Sequence, residues 1–259
     1  MTVVLRRFAG PVGHADNLDQ PIRVAHLTDQ HVGRVTPFSV QMAAVQAALA
    51  QNPDLIAITG DFVAHSLRYL DQLEALIAAI DVPVFAVLGN HDHWTGPQAV
   101  RACLRHAGVE VLDNAWTSIE IGHQRLQIVG LDDAYTGNAD RQKALKGLDP
   151  RKAPTLGLSH IAEEADGLWE GGVPLVLSGH THGGQVDWMG LPRWTVGALA
   201  GHRYVHGLYG DRRADRAVYV SAGIGAAVVP FRAGDRGQRE VACFELGRPL
   251  GGLDDEHHV

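Results

Sequence analysis

The chain has 259 residues, of which 46% are hydrophobic, and a net charge of −7 with histidine neutral. That length suits one α/β domain of about 200–250 residues as well as two smaller ones. The acidic balance argues against a non-specific grip on nucleic acid, and the two isolated cysteines, Cys103 and Cys243, exclude a disulfide framework and read as free thiols of a reducing compartment.

In chain order, residues 1–20 read as an irregular lead-in, broken by Gly10, Pro11 and Gly13. Arg6 and Arg7 have no apolar run behind them, and no stretch approaches the roughly 20 apolar residues of a spanning helix, so a cytoplasmic protein is expected. Residues 22–28 suit a strand. Thr36 and Pro37 then open a helix, with Thr36 as cap and Pro37 in the first turn, running to about Gln51. Residues 55–59 form a continuous apolar run, the mark of a strand buried on both faces. Leu67, Leu70, Leu73, Leu76, Ile77 and Ile80 follow at helical spacing, residues 84–88 make another buried strand, and Pro97 begins a helix that ends near Gly108.

Beyond that point strands predominate, over residues 109–112, 116–121 and 126–131. Residues 155–159 and 175–178 read as two more, separated by a helix carrying Ile161, Ala165, Leu168 and Trp169, and residues 217–221 and 241–246 complete the set. Residues 248–259 are Gly- and acid-rich and read as a flexible tail. Helix–strand alternation followed by a strand-rich half predicts an α/β fold. The expectation is a four-layer αββα sandwich, two mixed β-sheets flanked by helices, in a single domain over residues 21–247.

Five short islands punctuate this pattern: Asp29-Gln30-His31, Gly60-Asp61, Gly89-Asn90-His91-Asp92, Ser159-His160 and Gly179-His180-Thr181-His182. Each follows an apolar or β-branched run that stops, most weakly before His160. Open α/β sheets place their ligand sites there, beyond the carboxyl ends of strands. All the donors are nitrogen or oxygen. Carboxylates with imidazoles suit borderline divalent ions, and the absence of cysteine argues against a structural zinc site. A lone histidine is usually structural, and Gly-Asp or a single Asn is usually a turn. Five islands in order at strand ends supply enough ligands for two ions about 3.5–4 Å apart, which points to a hydrolase.

The ordered set resembles the calcineurin-like metallophosphoesterase superfamily, over about residues 23–184. The string from Gly179 to Gln185 is similar to one bacterial branch, which includes Mn-dependent phosphoesterases and relatives of UDP-2,3-diacylglucosamine diphosphatases. Residues 204–209 and 219–225, with Pro230 and Arg232, extend the likeness towards residue 246. The resemblance implies two divalent ions, Mn first, with Fe, Zn or Ni as alternatives. Asp29, His31, Asp61 and His182 would hold one ion, and Asp61, Asn90, His160 and His180 the other, with Asp61 bridging. His91 would bind no metal but touch the phosphate or protonate the leaving oxygen. A shared hydroxide would attack phosphorus in line with the leaving group.

Two departures stand out. Many members carry Asp three residues after the bridging carboxylate, to orient the histidine equivalent to His91; here that position is Ala64, followed by His65. Branch members often begin with a membrane or export segment, and the lack of one here points away from a lipid substrate. His202, Arg203 and Arg232 are candidates for a second phosphate or a base, Asp132 and Asp133 for orienting a ligand histidine, and Trp94 for walling the cleft. The expected activity is hydrolysis of a phosphodiester or phosphomonoester in a small phosphorylated substrate. The alternatives are a pyrophosphatase of a nucleotide-sugar or lipid-linked substrate and a catalytically silent metal-binding protein.

Overall fold

The computed structural model describes residues 3–184, 201–226, 232, 235–251 and 253. Twelve strands of these residues form two six-stranded sheets. The first sheet contains β1 (Val4–Ala9), β2 (Ile22–Leu27), β3 (Leu55–Thr59), β4 (Val84–Val87), β5 (Glu110–Val111) and β12 (Glu240–Leu246), in the order β1-β12-β2-β3-β4-β5. The second contains β6 (Ala115–Ile121), β7 (Gln124–Gly130), β8 (Thr155–Leu158), β9 (Leu175–Ser178), β10 (Gly207–Asp211) and β11 (Arg216–Val220), in the order β10-β11-β9-β8-β7-β6. Both sheets are mixed. β2, β3 and β4 run parallel, and so do β7, β8, β9 and β11, whereas β12 meets β2, β10 meets β11 and β6 meets β7 antiparallel.

The layering follows from alternation along each strand. Leu55 and Ala57 of β3 face inward with Ile22, Val24 and Phe85, where they meet Leu156, Leu158, Leu175, Leu177 and Tyr219 of the other sheet. Ile56 and Ile58 of β3 point outward instead, onto α2 (Phe38–Leu49), α3 (Leu70–Ile77) and α5 (Pro97–His106). On the second sheet Val176, Val218 and Val220 face outward onto Ala165 and Leu168 of α7 (Ala165–Glu170). Helix, sheet, sheet, helix is therefore the order of layers. Strands apolar on both faces are what a sheet buried on both sides requires.

Three expectations are corrected. Residues 1–20 are not an irregular lead-in: β1 pairs in parallel with β12, and α1 (Val12–Asn17) follows with His14 buried. The two arginines that break the apolar run of β1 are satisfied across the sheet, Arg6 by Glu240 and Arg7 by Glu245, so the strand forms on a partner more than two hundred residues away. Thr36 does not cap α2. Its hydroxyl accepts from Ala226 N at 2.9 Å, and Pro37 stands at the helix entrance without a side-chain cap. Helices α4 (Asn90–Thr95) and α6 (Arg141–Ala144) and strand β10 were not expected. Most of the expected C-terminal tail lies outside the described residues, as do Gln185 and Pro230.

Candidate metal centre

Five strands, β2, β3 and β4 of one sheet and β8 and β9 of the other, end at one place. Just beyond their carboxyl ends lie Asp29 and His31, Asp61, Asn90 and His91, His160, and His180 and His182. The backbone there is unusual. Eight described non-glycine residues have positive φ, and five of them are Asp29, His31, Asp61, His180 and His182. Such conformations cost of order 1–3 kcal/mol each and persist only where the surroundings over-determine them. Here Asp29 N donates to Gly60 O at 3.0 Å and His31 N to Asp61 O at 2.9 Å. His180 N donates to Asp29 Oδ2 at 3.1 Å, stitching β9 to β2 across the two sheets.

The side chains converge. His31 Nε2 lies 3.0 Å from His182 Nε2, 3.7 Å from Asp29 Oδ1 and 3.5 Å from Asp61 Oδ2. His182 Nε2 is 3.4 Å from Asp29 Oδ1. On the other side of Asp61, its Oδ2 lies 3.4 Å from His160 Nε2. Asn90 Oδ1 is 3.2 Å from that same nitrogen and 2.9 Å from His180 Nδ1. Ligands about 2.1 Å from one ion stand about 3.0–3.4 Å apart at octahedral or tetrahedral angles, so most of these separations suit donors around a cation, with His31 standing slightly further from Asp29 and Asp61. The groups Asp29, His31 and His182, and Asp29, Asp61 and His160, each bring their ligand atoms within 4.8 Å of one another. Asp29 Oδ1 is buried with no hydrogen-bond partner, an acceptor that a cation would satisfy.

Electrostatics agree with that fit. Burial opposes the charge of Asp29, but His182, His31 and His160 outweigh it and hold the carboxyl well below its usual range. Asp61 is held low against burial chiefly by His160. Burial likewise opposes a charge on His160, yet Asp61 and Asp29 keep it protonated up to about 10. His160 Nδ1 donates to Thr59 O at 2.7 Å, which leaves Nε2 facing Asp61. His180 is pushed down to about 4 by burial and by His160, and His182 to about 3 by burial and by Arg232, against the pull of Asp29. His180 and His182 are thus neutral imidazoles beside two carboxylates, the donors that borderline divalent ions take, and the proton that Asp61 and Asp29 hold on His160 is the one a cation would displace to reach Nε2.

His91 sits apart in role. Its backbone N donates to Asp61 Oδ1 at 2.9 Å, and its Nδ1 donates to Ala64 O at 2.7 Å. The main-chain carbonyl at position 64 thus orients the ring that the expected Asp is absent to orient. Burial lowers its pKa, partly offset by Asp61. One cluster of ligand atoms also includes His91, with His31 and Asp61. The ring of Trp94 lies 5.1 Å from that of His91, Tyr135 lies 5.8 Å from Trp94, and Tyr135 lies 5.2 Å from His180. Trp94 and Tyr135 are 60% and 58% exposed, so they wall the cleft rather than fill a core.

Other expected contacts are engaged elsewhere. Arg203 is paired with Asp166, His202 Nδ1 lies 3.3 Å from Glu163 Oε1, and Arg232 donates to the carbonyls of Ala222 and Gly225 and lies 2.8 Å from His182 Nδ1. Of the three, His202 and Arg232 border the centre, the former with its ring 5.0 Å from that of His180. Asp132 holds His93 at 2.7 Å and Arg101 at 2.8 Å, so it orients a histidine outside the expected ligand set. Asp133 accepts from Thr136. Sequence reasoning missed Asp92, which is buried and accepts from Gly89 N at 3.0 Å and Val63 N at 3.1 Å, tying the β3 and β4 loops together. Burial and the charge of Asp61 raise it to about 7. Its place three residues after Gly89, at the start of a helix, was the available signal.

The family model for calcineurin-like phosphoesterases matches residues 22–184, more than half of the chain. The chain belongs to the calcineurin-like phosphoesterase family. Among metallophosphoesterase relatives, it is 31% identical over 218 residues to the phosphodiesterase YaeI of Escherichia coli (strain K12), covering 80% of this chain and 76% of YaeI. An uncharacterized metallophosphoesterase of Aquifex aeolicus is 34% identical over 180 residues, 65% of this chain and 66% of its own. The calcineurin-like fold is shared with a 5'-nucleotidase precursor from Thermus thermophilus, at TM-score 0.53 and 16% identity over 89% of this chain and 56% of that one. No described helix is long and apolar enough to cross a membrane.

Proposed function

We propose that this phosphoesterase holds two divalent ions, Mn first among them, and hydrolyses a phosphodiester or phosphomonoester of a small substrate. The observation that carries the reading is the position of Asp61. One of its carboxylate oxygens, Oδ2, stands 3.5 Å from His31 Nε2 and 3.4 Å from His160 Nε2, so a single oxygen faces both halves of the donor set. Asp29, His31 and His182 would hold one ion beside it, and Asn90, His160 and His180 the other.

When bound, the ions would supply positive charge to the phosphate oxygens and lower the pKa of water, so that hydroxide is available near neutral pH. The chain's own residues do the rest. Buried Asp29 and Asp61 offer charge without solvent to screen it. His180 and His182, held neutral, offer lone pairs. His91 keeps Nδ1–H on the Ala64 carbonyl and presents Nε2 to the phosphate or the leaving oxygen. Either part of that role needs a proton on Nε2, and a carbonyl fixes the ring as a carboxylate would but adds no full negative charge to retain that proton, so the charge of the bound phosphate would have to help hold it.

The test is metal analysis joined to turnover of bis(p-nitrophenyl) phosphate and p-nitrophenyl phosphate. Two ions per chain are expected, with turnover abolished by chelator and restored best by Mn. No turnover with Mn, Fe, Zn or Ni, or full turnover after complete metal removal, would sink the reading.

A further inference from the structure

The cations that flank the centre from the second sheet already have partners, but two arginines on the other side do not. Arg34 and Arg68 line one pocket of about 310 Å³ together with Gly33, Ala64, His65 and Tyr69. Both arginines are exposed. No Asp or Glu is among the residues that line the pocket, and neither guanidinium is bonded to another described residue. Among the other exposed arginines, Arg105, Arg125, Arg151 and Arg203 each meet a carboxylate; Arg213 and Arg216 meet none among the described residues, but Arg216 lines a pocket that also holds Asp215. In a chain of net charge −7, two unpaired guanidinium groups sharing one carboxylate-free pocket are not a by-product of bulk charge.

The pocket adjoins the candidate centre. Ala64, in its lining, is the residue whose carbonyl holds His91 Nδ1 at 2.7 Å. His65, also in its lining, has its ring 4.9 Å from that of His91. Gly33 lies two residues beyond His31, and an added Cβ there would stand 3.1 Å from Ala64 Cβ, so the two loops close against each other at the pocket's edge. A group bound between Arg34 and Arg68 therefore lies next to His91.

We propose that this pocket is an anion subsite, and that the substrate carries a second phosphoryl group which it takes while the scissile phosphate lies over the centre. Like charges gathered without a counter-ion repel, and a phosphate relieves that repulsion. The planar guanidinium also matches phosphate oxygens two at a time. The substrate class is thus a bisphosphorylated small molecule rather than a simple monoester. The proposal rests on the phosphoesterase reading of the centre.

The experiment is calorimetric titration of the Mn-loaded full chain with propylphosphonate and with alkane-α,ω-diphosphonates of increasing chain length, alongside turnover of bis(p-nitrophenyl) phosphate. At least one diphosphonate is expected to bind about tenfold or more tightly than the monophosphonate, the size of one charge-assisted hydrogen bond. The Arg34→Gln/Arg68→Gln variant should lose that preference and keep its affinity for propylphosphonate. The Arg125→Gln/Arg151→Gln variant, which removes the same charge outside the pocket lining, should keep it. A preference absent from the wild type at every length, or one that survives in Arg34→Gln/Arg68→Gln, overturns the subsite. Turnover without the preference leaves the phosphoesterase reading standing and removes the subsite. The preference and its loss without turnover do the reverse.

Discussion

At the scale of single residues, the centre is built from side chains whose backbones sit where side chains seldom do. Asp29, His31, Asp61, His180 and His182 all have positive φ, and the backbones of the first four are held by bonds to neighbouring loops. That arrangement spends stability to aim donors. His91 differs, because it is aimed by one hydrogen bond to the carbonyl of Ala64. His91→Ala should therefore lower turnover by about a hundredfold to ten-thousandfold, the usual worth of a positioned acid or base, while two ions per chain are retained. Metal analysis beside kcat separates the two effects, and an equal loss of both would make His91 a ligand, as its grouping with His31 and Asp61 allows.

At the scale of elements, the decisive units are the turns that follow parallel strands. Gly60 ends β3 with φ +84°, and a Cβ there would lie 2.6 Å from Gly89 N and 2.7 Å from His160 Nδ1. The β3 and β4 turns and the His160 ring leave no room between them. Gly60→Ala should thus cost well over the ~1–2 kcal/mol of a left-handed alanine, about 3 kcal/mol or more, and should lower metal content because His160 must move. Gly122→Ala is the control. It also has positive φ, but nothing lies within 4 Å of its added Cβ, so only the conformational part, about 1–2 kcal/mol, should appear in urea denaturation. The Gly60-Asp61 and Gly89-Asn90 dipeptides were legible as turns because Gly, Asp and Asn are the residues of such conformations. Helix α4, which opens at Asn90, was not legible: six residues carry too little periodicity to announce a helix, and its order depends on Asp92 bonding back to Gly89 and Val63.

At the scale of the whole molecule, the centre exists only because two sheets pack face to face. Glu240, buried at the start of β12, is a second junction between them. It accepts from Arg6 Nε at 2.6 Å, Tyr219 OH at 2.7 Å, His206 Nε2 at 3.0 Å and Ala222 N at 3.0 Å, and so joins β1 to β11 and the loops around it. Burial opposes its charge, but His206 and Arg6 prevail and hold it at about 2, below the ordinary 4.5. A carboxyl depressed on folding contributes stability that is complete above about 4.5 and fades as pH falls towards about 2. At 1.36 kcal/mol per unit this amounts to about 3 kcal/mol at neutral pH. Glu240→Gln should therefore be less stable than the wild type by roughly that amount at neutral pH, with the gap closing as pH approaches 2. Parallel denaturation curves with a constant gap across that range would refute the assignment.

Composition and local order by themselves determined the buried strands and the donor islands, because continuous apolar runs and Gly-Asp, Gly-Asn and Asp-x-His dipeptides carry their meaning within a few residues. From those, the αββα class could be read without coordinates. Tertiary structure alone decided that residues 4–9 form a strand, since Arg6 and Arg7 find their carboxylates only on β12. It also decided that Arg203 is taken up by Asp166 and Arg232 by backbone carbonyls and His182, while the guanidinium groups of Arg34 and Arg68 meet no described partner. Pairing of charges is settled by which loops meet in space, and a linear pattern of arginines and carboxylates does not encode that meeting.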